Sequence, residues 1–203
     1  MPANKKSGTS KSKGSDYERT ICGRLSLWCS NLTRDDLFWR SAMSGGRANV
    51  PSRKSKGQTF EAQCGDVVAT HAQGNHLVSL FVVECKFWRD LELQQPTFGL
   101  PGQMIPQWLK TYEEAKRTGR QPLFCAKQNH KADIVLTTAK GAQILRTEDP
   151  DCKLQETVIL MRYSARVFLL QDILAEVKYS LIREAVKLND AGRGILRSRL
   201  EAV

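Results

Sequence analysis

Cys64-Gly65-Asp66-Val67-Val68-Ala69, followed after a polar turn by Leu77-Val78-Ser79-Leu80-Phe81-Val82-Val83-Glu84-Cys85-Lys86-Phe87-Trp88, is the stretch that decides the fold. The turn through Gln73, Gly74, Asn75 and His76 predicts an antiparallel hairpin centred near Asn75, with residues whose numbers sum to about 150 facing each other. Asp66 is then opposite Glu84, and Lys86, two residues further along the strand, shares the face of Glu84. The expected hairpin is apolar except at one end, where two carboxylates and a lysine converge. Val68, Val78, Leu80 and Val82 line the charged side, and Val67, Leu77, Phe81, Val83 and Phe87 the other. A strand that is apolar on both faces belongs inside a sheet covered by helices, which argues for a layered α/β domain.

The flanking sequence supplies the other elements of such a domain. Upstream, Tyr17, Ile21, Leu25, Trp28 and Leu32 recur at helical spacing, and Ser15 with Glu18 three residues later has the form of a capping box. Glu18 has two readings here, a reciprocal cap or a carboxylate aimed at the charged end of the hairpin. Residues 35–43 read as a short strand, and a polar loop to about residue 58 carries Arg47, Arg53, Lys54 and Lys56 without an acidic residue. Downstream, Pro106 opens a helix through Trp108, Leu109, Tyr112 and Ala115 that Gly119 stops. Residues 121–127 and 132–136 read as strands around a polar turn, 157–161 as another, and 167–170 as a short strand or a helix lead-in. Asp172 is read as the cap of a long helix with an apolar face reaching Leu188. The division is a basic arm over 1–14, one domain over 15–190 and a basic tail over 191–203.

Composition limits the partners. Lys plus Arg number 31 against 21 Asp plus Glu, a formal charge of +10, and the pI is near 9.5. That balance suits a polyanion. No apolar run approaches the roughly 18–20 residues that cross a bilayer, and the lysine-rich N-terminus lacks the apolar segment of a signal peptide, so a cytoplasmic protein without a membrane partner is expected. The cysteines at 22, 29, 64, 85, 125 and 152 include no Cys-x-x-Cys pair and no histidine at zinc-finger spacing. They read as small buried residues, with Cys85 pointing away from Glu84 and Lys86.

Two acids and a lysine at a sheet end could be a salt bridge. Adjacent carboxylates repel, however, and are awkward to bury without a cation, so a divalent metal between them explains the pair better. Mg2+ (or Mn2+) prefers oxygen ligands and keeps several waters, one of which becomes a nucleophile while the lysine offsets charge developing on a phosphate. The chemistry expected is phosphodiester hydrolysis.

Gly65-Asp66, seventeen intervening residues, then Glu84-Cys85-Lys86 resembles the PD-(D/E)XK nuclease signature, on an order of elements similar to the core of that superfamily. Gly14-Ser15-Asp16-Tyr17-Glu18-Arg19 resembles the helix start of its Holliday-junction-resolvase branch and of resolvase-like phage proteins, whose helix glutamate helps hold the metal. The resemblance implies a restriction-endonuclease-like α/β core, a central mixed sheet flanked by helices. It implies Asp66, Glu84 and Lys86 as catalytic residues, and Glu18, Asp66, Glu84 and the backbone carbonyl of Cys85 as metal ligands. Gly65 stands where the signature has proline.

The function expected is that of a metal-dependent DNA endonuclease acting on branched DNA such as a four-way junction; the resemblance further implies a homodimer. Lys11, Lys13, Arg47, Arg53, Lys54, Lys56, Gln107, Lys110 and Lys127 are the candidate DNA contacts, although Lys127 could equally reach solvent at a sheet edge. Two alternatives compete. One is a restriction-type or other nuclease with the same site, and the other a non-catalytic DNA-binding or packaging protein with a structural acidic cluster.

Overall fold

The computed structural model describes residues 10–41, 64–89, 94–98, 100–146 and 151–179. The loop cations Arg47, Arg53, Lys54 and Lys56, the helix beyond 179 and the basic tail lie outside these residues. Among the described residues no helix is long and apolar enough to cross a membrane.

Helix α1, Ser10–Cys29, comes first. It buries Tyr17, Ile21, Leu25 and Trp28 on one stripe, as their spacing predicts. Leu32 lies past its end and is exposed. The helix starts upstream of Ser15, so Ser15 is in its interior and the expected capping box does not form. Backbone conformation at the helix end turns left-handed at Asn31 and Leu32, and Trp28 Nε1 donates to the Val177 carbonyl at 2.8 Å.

Strand β1, Phe38–Arg40, pairs antiparallel with β2, Val67–Ala69. This overturns the predicted hairpin. After β2 the chain makes a short 3-10 turn at Ala72–Gly74 and a helix α2, Asn75–Leu80, before β3, Phe81–Trp88. The apolar run 77–88 is therefore part helix and part strand. Periodicity alone cannot divide such a run, because a buried helical turn and a buried strand are equally apolar.

Five strands form a mixed sheet in the order β3, β4 (Gln121–Gln128), β5 (Ile134–Thr137), β7 (Ala165–Leu169) and β6 (Val158–Leu160). β3 and β4 are parallel and the other pairings antiparallel. The parallel pair requires a crossover, which contains α3, Gln94–Thr97, and α4, Met104–Arg117. Helix α5, Ala139–Arg146, lies in a segment given no element from the sequence, and α6 spans Leu170–Glu176 with Asp172 in its first turn instead of capping it.

Alternation along the strands divides the core into two layers. Phe81, Val83, Cys85, Leu123, Cys125, Val135 and Phe168 face α1, α5 and α6, while Phe124, Ala126, Ile134, Leu136 and Val167 face Met104, Ile105 and Trp108 of α4. The expected α/β core with a helix-flanked mixed sheet is thus the fold observed. All six cysteines are free; Cys22, Cys29, Cys85 and Cys125 are buried in the α1 layer, and Cys64 is buried beside Val82 and Ala115.

Candidate active site

β3 is an edge strand of the five-stranded sheet, so one row of its backbone groups has no strand partner. Asp66 supplies that partner. Its backbone N–H donates to the Val83 carbonyl at 2.8 Å, and its Oδ2 accepts from the Cys85 N–H at 2.9 Å. Gly65 permits the approach with φ +84, and a Cβ there would lie 2.5 Å from the Val83 oxygen. Proline is locked near φ −65°, which explains why this chain carries glycine where the signature has proline.

Asp66 and Glu84 are both buried, and the Lys86 ammonium lies between them. It donates to Glu84 Oε1 at 2.5 Å, to the Cys85 carbonyl at 3.2 Å and to Asp66 Oδ2 at 3.4 Å. Two carboxylates against one ammonium leave the cluster acidic, and Asp66 Oδ1 is buried with no hydrogen-bond partner among the described residues. An orphaned carboxylate oxygen is costly to bury. A hard divalent cation satisfies it, and Asp66, Glu84 and the Cys85 carbonyl are oxygen donors of the kind such an ion takes. The Cys85 thiol points into the α1 layer, as expected.

Electrostatics follow from this burial. Burial first, and then the charge of Asp66, push the Glu84 carboxyl up to about 7 against the pull of Lys86. Burial works to lower Lys86, but Asp66 and Glu84 more than offset it, so its pKa is raised and the side chain is an ammonium at neutral pH.

Glu18 does not share in this cluster. Its Oε2 accepts from Arg40 Nε at 2.9 Å, and the neighbouring Ser41 N–H donates to the Asp66 carbonyl at 2.7 Å. The α1 glutamate is thus linked to the backbone of Asp66 through β1. Among the described residues no three Asp, Glu, His or Cys side chains are gathered as a metal-holding group.

The DNA-contact candidates scatter. Helical spacing puts Gln107 and Lys110 on the flank of α4 turned toward β3, with Gln107 half-buried and Lys110 exposed. Lys127 is directed elsewhere: its ammonium pairs with Asp133 Oδ1 at 3.0 Å and lies over the Tyr17 ring, on the α1 side of the sheet. Lys13 is exposed on the first turns of α1, and the Lys11 side chain lies outside the described set.

One acidic residue was not singled out from the sequence. Glu114 on α4 is buried beside Thr111, its Oε1 has no hydrogen-bond partner among the described residues, and its charge adds to that raising Glu84. The signal available was the polar series Gln107, Thr111, Glu114, Thr118, which recurs at helical spacing along one flank of an otherwise sheet-covering helix.

Residues 9–183 match the family model described as phage putative PDDEXK endonuclease. The chain belongs to that family. Comparison with curated proteins and with solved structures gives no match. The family makes the protein a nuclease with DNA as its substrate class, and nucleases of this superfamily generally use divalent metals. In this nuclease, Asp66, Glu84 and Lys86 stand together at the edge of the sheet.

Proposed function

We propose that the protein is a Mg2+-dependent endodeoxyribonuclease whose site is Asp66, Glu84, Lys86 and the Cys85 carbonyl. The observation that carries this reading is the buried, partnerless Oδ1 of Asp66 in a net-acidic pair of carboxylates next to a lysine. When bound, a divalent cation makes a water more acidic and stabilises charge on the scissile phosphate. Asp66 and Glu84 would hold that cation. Cys85 contributes twice, because its N–H fixes the Asp66 carboxylate while its carbonyl faces the ammonium of Lys86.

Contact with both carboxylates supports a role for Lys86 as a charge-stabilising ammonium. An ammonium at neutral pH is a donor, so Lys86 stabilises negative charge on the phosphate and does not abstract a proton. Arg40 and Glu18 act at one remove, positioning the backbone that presents Asp66.

A branched substrate and a homodimer rest on the likeness of residues 14–19 to resolvase-type helix starts. The test incubates the protein with labelled four-way junction, linear duplex and single strand, in Mg2+ or in EDTA. Mg2+-dependent cutting that favours the junction is expected. Equal or greater cutting of linear duplex would replace the branched-DNA reading with a restriction-type one. Salt-sensitive binding without any metal-dependent strand loss would overturn the enzyme reading.

A further inference from the structure

A cavity of about 410 Å3 opens on the far flank of α4 from the carboxylates. Around the helix axis, Tyr112 and Lys116 lie roughly 150° from Gln107, Thr111 and Glu114 at 3.6 residues per turn. The cavity is therefore bounded by α4, by the β6 and β7 edge of the sheet, and by the start of α5. Lys116, Arg120, Lys140 and Arg166 line it, and among the described residues no acidic side chain does. Tyr112 and the exposed Met161 supply apolar surface beside the cations.

Four like charges around one cavity repel each other, so the structure must answer for them. Two are partly answered. Arg120 donates to the Val78 carbonyl and to Thr118 Oγ1, and Arg166 is drawn by Glu156, whose carboxyl it helps hold below its ordinary value. Lys116 and Lys140 enter no ion pair among the described residues. The cavity therefore keeps a net positive charge.

We propose that this cavity binds the phosphodiester backbone of the DNA substrate at a position distinct from the scissile phosphate. The proposal rests on the nuclease reading for its ligand. A helix is about 10–12 Å across with its side chains, and each strand of a duplex places one phosphate about every 3.4 Å of duplex axis. A duplex whose axis crosses α4 from Lys86 to Lys116 thus passes about three phosphates of each strand. Lys116 and Lys140 each meet a phosphate, while Tyr112 and Met161 meet sugar or base.

The test is a DNA-binding titration of the full chain in EDTA, from about 50 to 200 mM salt, for wild type and the K116A/K140A double variant on a long duplex. Losing two phosphate contacts lowers the slope of log affinity against log salt by about 2. An unfolding midpoint equal to wild type shows that the variant folds. An unchanged slope overturns the proposal. So does calorimetry in which a nucleoside monophosphate binds wild type but not the variant while the DNA slope stays the same, since the cavity is then a free-nucleotide site. The titration reads no cleavage, so a protein that failed to cut DNA but showed the slope change would retain this surface and lose only its nuclease assignment.

Discussion

Replacing Glu84 by glutamine should make the metal-free protein more stable at alkaline pH and remove part of its pH dependence. In the fold this carboxyl titrates at about 7, against an ordinary value of 4.5, because it is buried next to Asp66. Between about pH 4.5 and 7 the folded protein holds a proton that the unfolded chain has lost. Stability therefore falls as pH rises through that window. At 1.36 kcal/mol for each pKa unit, the effect of the full window is about 3 kcal/mol. That is a large share of the roughly 5–15 kcal/mol that stabilises a typical domain. Glutamine has the shape of the protonated acid and cannot ionise. Urea unfolding in EDTA near pH 5 and near pH 8, for wild type and Glu84→Gln, isolates the term because every other titrating group is shared. Lys86 is silent across this window, since its raised pKa gives stability that is lost only above the ordinary lysine value of 10.5. Because the unfolded carboxyl is already mostly ionised at pH 5, the variant should lose about 2–3 kcal/mol less than wild type between the two pH values. Equal losses in the two proteins would refute the burial argument.

Gly65→Ala should destabilise the fold by about 2 kcal/mol or more, as the left-handed backbone and the contact with the Val83 oxygen both oppose a Cβ; urea midpoints check it. Glu114→Gln should bring the Glu84 midpoint down toward 4.5 in an NMR titration, because it removes a like charge; an unmoved midpoint would place Glu114 too far away to matter. Asp133→Ala strips the shared partner from Arg24 and Lys127, both about one-third exposed, and should cost about 2 kcal/mol with DNA cleavage retained. Loss of cleavage in that folded variant would show that the Arg24–Asp133–Lys127 cluster serves the site after all.

Asp66, Glu84 and Lys86 were legible together in the sequence, although the connection between them was not. The predicted hairpin placed Asp66 beside Glu84 by strand pairing; the structure places it there by using the Asp66 carboxylate and amide to satisfy the edge of β3. Both give nearly the same register, so the site survives the loss of the hairpin. The true partner of β2 is β1, a long-range pairing that no local periodicity encodes. Glu18 shows a different limit. Its place on α1 was read correctly, but its hold on Arg40 depends on where a three-residue strand lands. Lys127 ends an apolar strand as read, and only the buried Asp133 across the β4–β5 turn decides where it points. Glu114 was hidden because a glutamate on a helix otherwise rich in charge is usually solvated, and only the packing of α4 on the sheet buries it.

The most direct test of the central claim is Mg2+-dependent strand cleavage by Lys86→Ala and Glu84→Ala, with DNA affinity measured on the same samples. Cleavage should fall by at least about 100-fold in both, while affinity stays nearly that of wild type. Cleavage that persists in either variant would contradict the assignment of this cluster as the hydrolytic site.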